Sequence, residues 1–312
     1  MIQKDATNAA RHAEDLTYTN AARTAFELFL RGRTWRSGAS LLMPGYIGFT
    51  DREGSGVFDP VRNSNTPYTF YPLGERLQID LNLIEELLST GNHPMILVIH
   101  YFGLPHVDMA AMQDLCKAHD TILVEDCAHV PGPAVGSKGL GTYGGAAFYS
   151  LHKMLPVPNG GVLRINDPKL LRGSMEPGEH CAQSTLEQIL RMDLSAISAD
   201  RRRNYALLGE QLSGVEGVEV LYPSIGEVVP HDFPVRINDG LREKLYFALM
   251  DRGFPTTALY YRMIEEITVD EHPTSYALSQ SILNLPVHQD TEIDDIHALC
   301  DAIEVELKKL RS

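Results

Sequence analysis

The sequence predicts an α/β protein with a doubly wound, mostly parallel central sheet and a smaller α+β unit towards its C-terminal end. Two observations carry this. Met95–Ile99 and Ile122-Leu123-Val124 are short and wholly apolar, as strands buried on both faces are. Between them lies a helical stretch, which makes a β-α-β unit. Its right-handed crossover sets the two strands as parallel neighbours.

Taken in order, a helix is expected over Thr24–Leu30. Asp80–Leu88 repeats apolar residues at helical spacing (Leu81, Ile84, Leu88), with Asp80 placed to cap its start. The strand Met95–Ile99, a helix at Val107–Ala118 and the strand at Ile122 follow. Val162–Ile165 reads as another strand. A helical stretch from about Ser184 to Leu212 leads to a second unit. There, strands near Val218–Leu221 and Phe233–Ile237 alternate with helices Leu241–Arg252 and Ile293–Leu307. The division expected is a large domain over 1–195, with a short N-terminal segment at 1–19, and a small domain over 196–312. Arg201-Arg202-Arg203 reads as a solvated helix face, with contact to an acidic substrate as the alternative.

Composition narrows the function classes. A chain of 312 residues buries one sizeable core and a smaller one. Its 41 acidic against 27 basic residues argue against a nucleic-acid or anionic-membrane surface. Cys116, Cys127, Cys181 and Cys300 have no paired spacing and read as reduced thiols of a cytoplasmic protein. Met1–Asp5 lacks the apolar run of a signal peptide, and no uncharged stretch is long enough to span a bilayer.

The chemistry is concentrated in two motifs. Asp126 follows the strand Ile122-Leu123-Val124, at the carboxyl end where open α/β sheets hold ligands. Lys153 follows Phe148-Tyr149-Ser150-Leu151-His152 and precedes Gly160-Gly161. An acid after a strand is ordinarily a turn cap, and a lysine ordinarily a surface group. Here apolar neighbours on both sides of Lys153 imply burial, which favours the free amine that imine formation needs. A carboxylate for a pyridine nitrogen, an amine for an aldehyde, and a serine and glycines for a phosphate together suit pyridoxal 5'-phosphate (PLP). The run Gly139-Leu140-Gly141-Thr142-Tyr143-Gly144 also fits the dinucleotide pattern G-x-G-x-x-G. It follows a loop and precedes an extended segment, so the strand and helix that pattern requires are missing. The histidines are dispersed and show no metal-ligand spacing.

From about residue 20 to residue 300 the chain resembles the DegT/DnrJ family, the sugar aminotransferases. Ile96-Leu97-Val98-Ile99-His100-Tyr101-Phe102-Gly103 with Pro105 and Asp108-Met109 is similar to the family's VHLYGxPxDM, and Asp126-Cys127-Ala128-His129 to its DxA[HQ]. Gly141–Ser150 resembles GSLGDAAVFSF, and Ile282–His288 resembles LSLPLHP. The resemblance implies the type I aminotransferase fold, PLP as cofactor, an amino acid (glutamate) as donor, a keto-sugar nucleotide as acceptor and a homodimer.

Residue by residue, it implies Lys153 as the PLP-binding lysine, Asp126 as the partner of the pyridine nitrogen and His129 at the cofactor's phenolic oxygen. Ser150 would donate to the phosphate. Arg23 and Thr24 resemble the family's GTAAL phosphate turn, although Thr24 serves equally well as an N-cap. Tyr46 is expected to face the ring, with Phe49 as competitor. Two departures stand out. Ser150 and Lys153 are three residues apart where most members have five, and no NYRM loop lies between Gly161 and Arg201. They keep open two alternatives, a PLP-dependent lyase or decarboxylase, and a PLP-binding regulatory protein. The segments expected to set specificity are Asp51–Thr66 and Glu176–Gln183.

Overall fold

The computed structural model describes residues 16–133 and 139–312. The expectation about Met1–Asp5 lies outside the described residues. Seven strands form the main sheet: β1 (Leu16–Thr19), β2 (Leu41–Pro44), β3 (Tyr68–Tyr71), β4 (Met95–Ile99), β5 (Ile122–Cys127), β6 (Ala146–Ser150) and β7 (Gly161–Ile165). Their order is β1-β7-β6-β5-β4-β2-β3. Neighbours from β3 to β6 are parallel, and β7 runs antiparallel to both β6 and β1. Of the N-terminal segment expected at 1–19, the described residues Leu16–Thr19 form an edge strand.

Helices α1 (Ala22–Arg31), α2 (Phe58–Asn63), α3 (Leu81–Ser89), α4 (Met109–Ala118), the single turn α5 (Leu151–Met154) and α6 (Gln183–Ile189) accompany these strands, and the long α7 (Leu194–Leu212) leads from them to the second sheet. Every side chain of β4 is buried, which is why its sequence is unbroken Met-Ile-Leu-Val-Ile. Asp80 caps α3 by accepting the Asn82 N–H at 2.9 Å. Asp108 caps α4 from Ala110 and Ala111. Such a cap contributes about 1 kcal/mol each. The stretch expected as one helix from Ser184 to Leu212 is two, broken ahead of Asp193, whose carboxylate caps α7.

The second sheet is antiparallel, in the order β10-β9-β8, from β8 (Val218–Val220), β9 (Asp232–Ile237) and β10 (Ile282–Pro286). Helices α8 (Arg242–Asp251), α9 (Pro273–Ser281) and α10 (Ile293–Arg311) belong to this half of the chain. Its core gathers Leu208, Phe233, Leu245, Ile296 and Ile303. The two cores are not cleanly divided along the chain. Ile264, Ile267, Leu278 and Ile282 pack into the larger one, while Leu194 and Ile197, at the start of α7, pack beside Leu151 and Met154. The four cysteines are free. Among the described residues no helix is long and apolar enough to cross a membrane.

Candidate active site

The carboxyl ends of β4, β5 and β6 open into a cavity of about 310 Å³. Asp126, His129, Ser150, Lys153 and Arg23 all line it. Asp126 is the second-last residue of β5 rather than a residue beyond the strand, because pairing continues to Cys127. Its side chain is buried and accepts the Ala128 N–H at 2.8 Å. Loss of water raises its pKa to about 6, against the opposing pull of that N–H and of the Lys153 charge.

Lys153 stands on α5, the single turn between β6 and β7. Burial lowers its pKa, opposed by Asp126, Asp232 and Glu53. Its Nζ lies 3.0 Å from Nε2 of His129. Nδ1 of His129 accepts the backbone N–H of Phe102 at 3.1 Å. Burial, the Lys153 charge and His231 all hold His129 well below the usual histidine range. The rings of His129 and His231 stack at 4.3 Å and 15°, and Nδ1 of His231 lies 2.6 Å from Asp232 Oδ2.

Another part of the cavity wall suits an anion. α1 begins at Ala22 with Ala21 as its N-cap, no side chain caps it, and no acid occupies its first turn. Its free N–H groups and dipole therefore favour negative charge. A Cβ at Gly161 would sit 2.2 Å from the Ala21 carbonyl carbon, so only glycine lets β7 pass this helix start. Arg23 lies on the same wall and donates to the Glu53 carbonyl at 2.7 Å. Ser150 is buried there, with Oγ 3.4 Å from Nδ1 of His152. Carboxylate, amine and anion cradle, facing one space, fit the three polar ends of PLP.

Two expected residues are not brought to this space. Thr24 lies inside α1, which starts at Ala22 rather than Thr24, and its hydroxyl donates to Asn20 Oδ1 at 2.6 Å. It is neither the cap nor part of the wall. Tyr46 is fully buried beneath the cavity, edge-on to Tyr101 with centroids 5.5 Å apart. The aromatics on the wall are Phe49, Phe148, Tyr260 and Tyr261.

Tyr260 is missed by sequence reasoning, since nothing marks it beyond the pair Tyr260-Tyr261. Its φ of 61° is left-handed, a strained conformation for a tyrosine. A Cβ on Gly48 would come within 2.7 Å of its ring. The arch that carries it is pinned at both ends. Thr257 and Asn284 exchange backbone bonds at 3.0 and 2.7 Å. Phe49 N–H meets Arg262 O, and Ile264 N–H meets Ile47 O, both at 3.0 Å. Of the segments expected to set specificity, Asp51–Thr66 contributes Glu53–Val57 to the wall, whereas Glu176–Gln183 contributes nothing.

The glycine run at Gly139–Gly144 has a different task from nucleotide binding. Glu125, fully buried, accepts N–H bonds from Gly141, Tyr143 and Gly144 at 2.7–2.8 Å and lies 2.9 Å from His100 Nε2. His100, Glu125 and Cys127 offer ligand atoms within 4.8 Å of one another. The carboxylate is already saturated by these donors.

Arg201 also departs from expectation, being 1 % exposed instead of solvated. Its guanidinium donates to Gln289 Oε1 at 3.0 Å and to the carbonyls of His231 (3.1 Å), Pro230 (3.4 Å) and Met154 (3.5 Å). The last of these follows Lys153 directly.

Comparison with known proteins agrees with this architecture. The model of the DegT/DnrJ/EryC1/StrS aminotransferase family matches residues 66–176 and 178–304. The chain belongs to that family. It is 25% identical over 246 residues to a UDP-N-acetyl-3-dehydro-alpha-D-glucosamine 3-aminotransferase of Acidithiobacillus ferrooxidans, over 70% of this chain and 66% of that one, just under two thirds of its length. It is 24% identical over 268 residues to a dTDP-3-amino-3,6-dideoxy-alpha-D-galactopyranose transaminase of Aneurinibacillus thermoaerophilus, covering 77% and 73%. Among solved structures it is similar to the aminotransferase TlmJ of Streptoalloteichus hindustanus, with TM-score 0.78, 20% identity, and 96% and 87% of the two chains covered. The fold is that of these aminotransferases.

Proposed function

We propose that this protein is a PLP-dependent aminotransferase that moves an amino group from an amino acid, glutamate by the family resemblance, to a keto-sugar nucleotide. The observation that carries the reading is the meeting of Lys153 and Asp126 in one cavity that is also lined by an uncapped helix start, Arg23 and Ser150. The relatives named for amino transfer on UDP- and dTDP-sugars support the acceptor class. A homodimer is proposed from the family resemblance and the prevalence of two-fold oligomers. A cytoplasmic location is proposed from the four free thiols.

PLP, when bound, supplies an aldehyde carbon for amines and a pyridine ring that accepts electrons. In this reading Lys153 would hold the cofactor through its amine and, as the free amine, would move a proton to and from the substrate's α-carbon. Asp126 holds a proton on the pyridine nitrogen. A buried carboxylate is costly without a cation beside it, and that cation is the protonated ring. His129 orients the phenolic oxygen. Arg23, Ser150 and the first turn of α1 take the phosphate. Tyr260 and Phe49 narrow the cavity and exclude water.

An absorbance spectrum of purified protein tests this. Wild type carries a visible band that Lys153→Ala lacks, and glutamate bleaches the band as the amine form of the cofactor accumulates. A wild type that stays colourless with added PLP overturns the reading.

A further inference from the structure

The polar contacts around Lys153 close into a ring. Arg201 donates to the His231 carbonyl at 3.1 Å, and the His231 N–H donates to the Phe102 carbonyl at 2.7 Å. The Phe102 N–H donates to His129 Nδ1, and His129 Nε2 meets Lys153 Nζ. Arg201 returns to the Met154 carbonyl beside Lys153. The decisive link is the third, because a backbone N–H can only donate. With Nδ1 accepting, a neutral His129 carries its proton on Nε2. That N–H needs an acceptor, and the lone pair of an uncharged amine is one. An ammonium in the same place would need Nε2 as a second acceptor, which only an imidazolate offers.

We infer that the Phe102 N–H, by occupying Nδ1 of His129, fixes the tautomer that keeps Lys153 a free amine, ready to add to a carbonyl before any ligand arrives. This makes the corner Phe102-Gly103 a positioning device for the lysine. Phe102 is left-handed at φ 59° and Gly103 at φ 80°. A Cβ on Gly103 would meet His129 O at 2.6 Å, Val229 O at 2.9 Å and His231 N at 3.0 Å. No other residue type fits there while the amide still reaches Nδ1. The other charges acting on Lys153 are Asp126 on β5, Asp232 on β9 and Glu53, which favour the ammonium, and Arg23 on α1, which opposes it. Those acting on His129 are Lys153 and His231. The three acids alone would hold the ammonium. The histidine tautomer and burial act against them.

This inference rests on Lys153 being the amine that binds PLP, and its test separates the two. The rate at which PLP colours the apoprotein is followed against pH in wild type, His129→Gln and His129→Glu, with Lys153→Ala as control. Glutamine repeats the pattern, accepting from Phe102 through its oxygen and donating to Lys153 through its nitrogen, so the pH at which uptake falls off stays that of wild type even where loss of the imidazole lowers the rate itself. Glutamate can only accept, welcomes the ammonium, and slows uptake at neutral pH about tenfold or more, with recovery on raising the pH. A purely structural role for His129 would slow both variants alike at every pH. Equal profiles for glutamate and glutamine overturn the inference while leaving the PLP reading intact. Absence of colour in wild type overturns the reading itself. The nitrogen NMR spectrum of apoprotein carrying isotope-labelled histidine gives the answer without any variant. A proton on Nε2 of His129 is expected, and one on Nδ1 would refute the inference.

Discussion

Gly48 and the ring of Tyr260 share one space, since a Cβ on the glycine would lie 2.7 Å from Cδ1 of the tyrosine. They come from opposite ends of the chain and meet over the cavity. Gly48 has no need of left-handed backbone, so alanine there changes the contact and little else. Gly48→Ala is expected to push Tyr260 inward and raise KM at least severalfold, with a stability loss of about 1–3 kcal/mol from overpacking. Tyr260→Ala in the same chain should recover the stability loss. Melting curves and substrate titrations of the two single variants and the double measure that coupling.

Asp126 sets stability against chemistry. Its carboxyl is buried and its pKa is raised to about 6. Above that pH the apoprotein holds a buried carboxylate that the unfolded chain solvates freely, a cost of up to about 3 kcal/mol. Asp126→Asn keeps the acceptor for the Ala128 N–H. The apoprotein variant should therefore melt higher than wild type at pH 7 (a neutral pH, about where the acid is ionised) while losing most turnover. Near wild-type rates would mean the acid has no part in catalysis.

Acid should unfold the protein from the histidine side. His106, wedged between the Tyr101 carbonyl at 3.1 Å and the Tyr222 hydroxyl at 3.3 Å, has its pKa lowered by burial to about 4. The unfolded chain takes up a proton at about 6.5, so its stabilising contribution is complete above that pH and is lost as pH falls towards about 4. His129 acts in the same direction. Asp126 works the other way below about 6 but is a single group. A net fall in melting temperature is expected across this window, smaller in His106→Gln than in wild type.

Arg201 ties the lysine turn to the second sheet without any carboxylate within salt-bridge range among the described residues. Arg201→Gln should lower kcat more than it raises KM, because the substrate wall is untouched while the Lys153 turn is released. Arg201→Lys, which keeps the charge but not the fork, should rescue little. Equal changes in kcat and KM for both variants would count against this.

How much of this was legible in the sequence follows from where each signal lives. Met95–Ile99 and its neighbour at Ile122 were readable because burial on both faces leaves a strand nothing but apolar residues. Asp80 and Asp108 mark their helices through a local side-chain bond. Lys153, Asp126, His129 and Ser150 stand in short motifs, and the fold brings all four to one cavity. Contacts across long separations were not readable. The Arg201 side chain is spent on carbonyls contributed 29 to 47 residues away and on a glutamine 88 residues away, and its own neighbourhood, Arg202 and Arg203, is that of an ordinary surface helix. Tyr46 was expected on the wall from the family resemblance alone. Burial beneath Tyr260 removes it from the wall, and Tyr260 takes its place from more than two hundred residues downstream.

The pins between Ile47–Phe49 and Arg262–Ile264 tie a late stretch of the chain into the larger core, and the Arg201 fork joins the lysine turn to the segment entering β9. The two sheets are therefore expected to melt together, because segments from both halves of the chain share these bonds. Heating should accordingly produce one calorimetric peak rather than two. Cutting the chain at its middle would yield two fragments that fold only in each other's company.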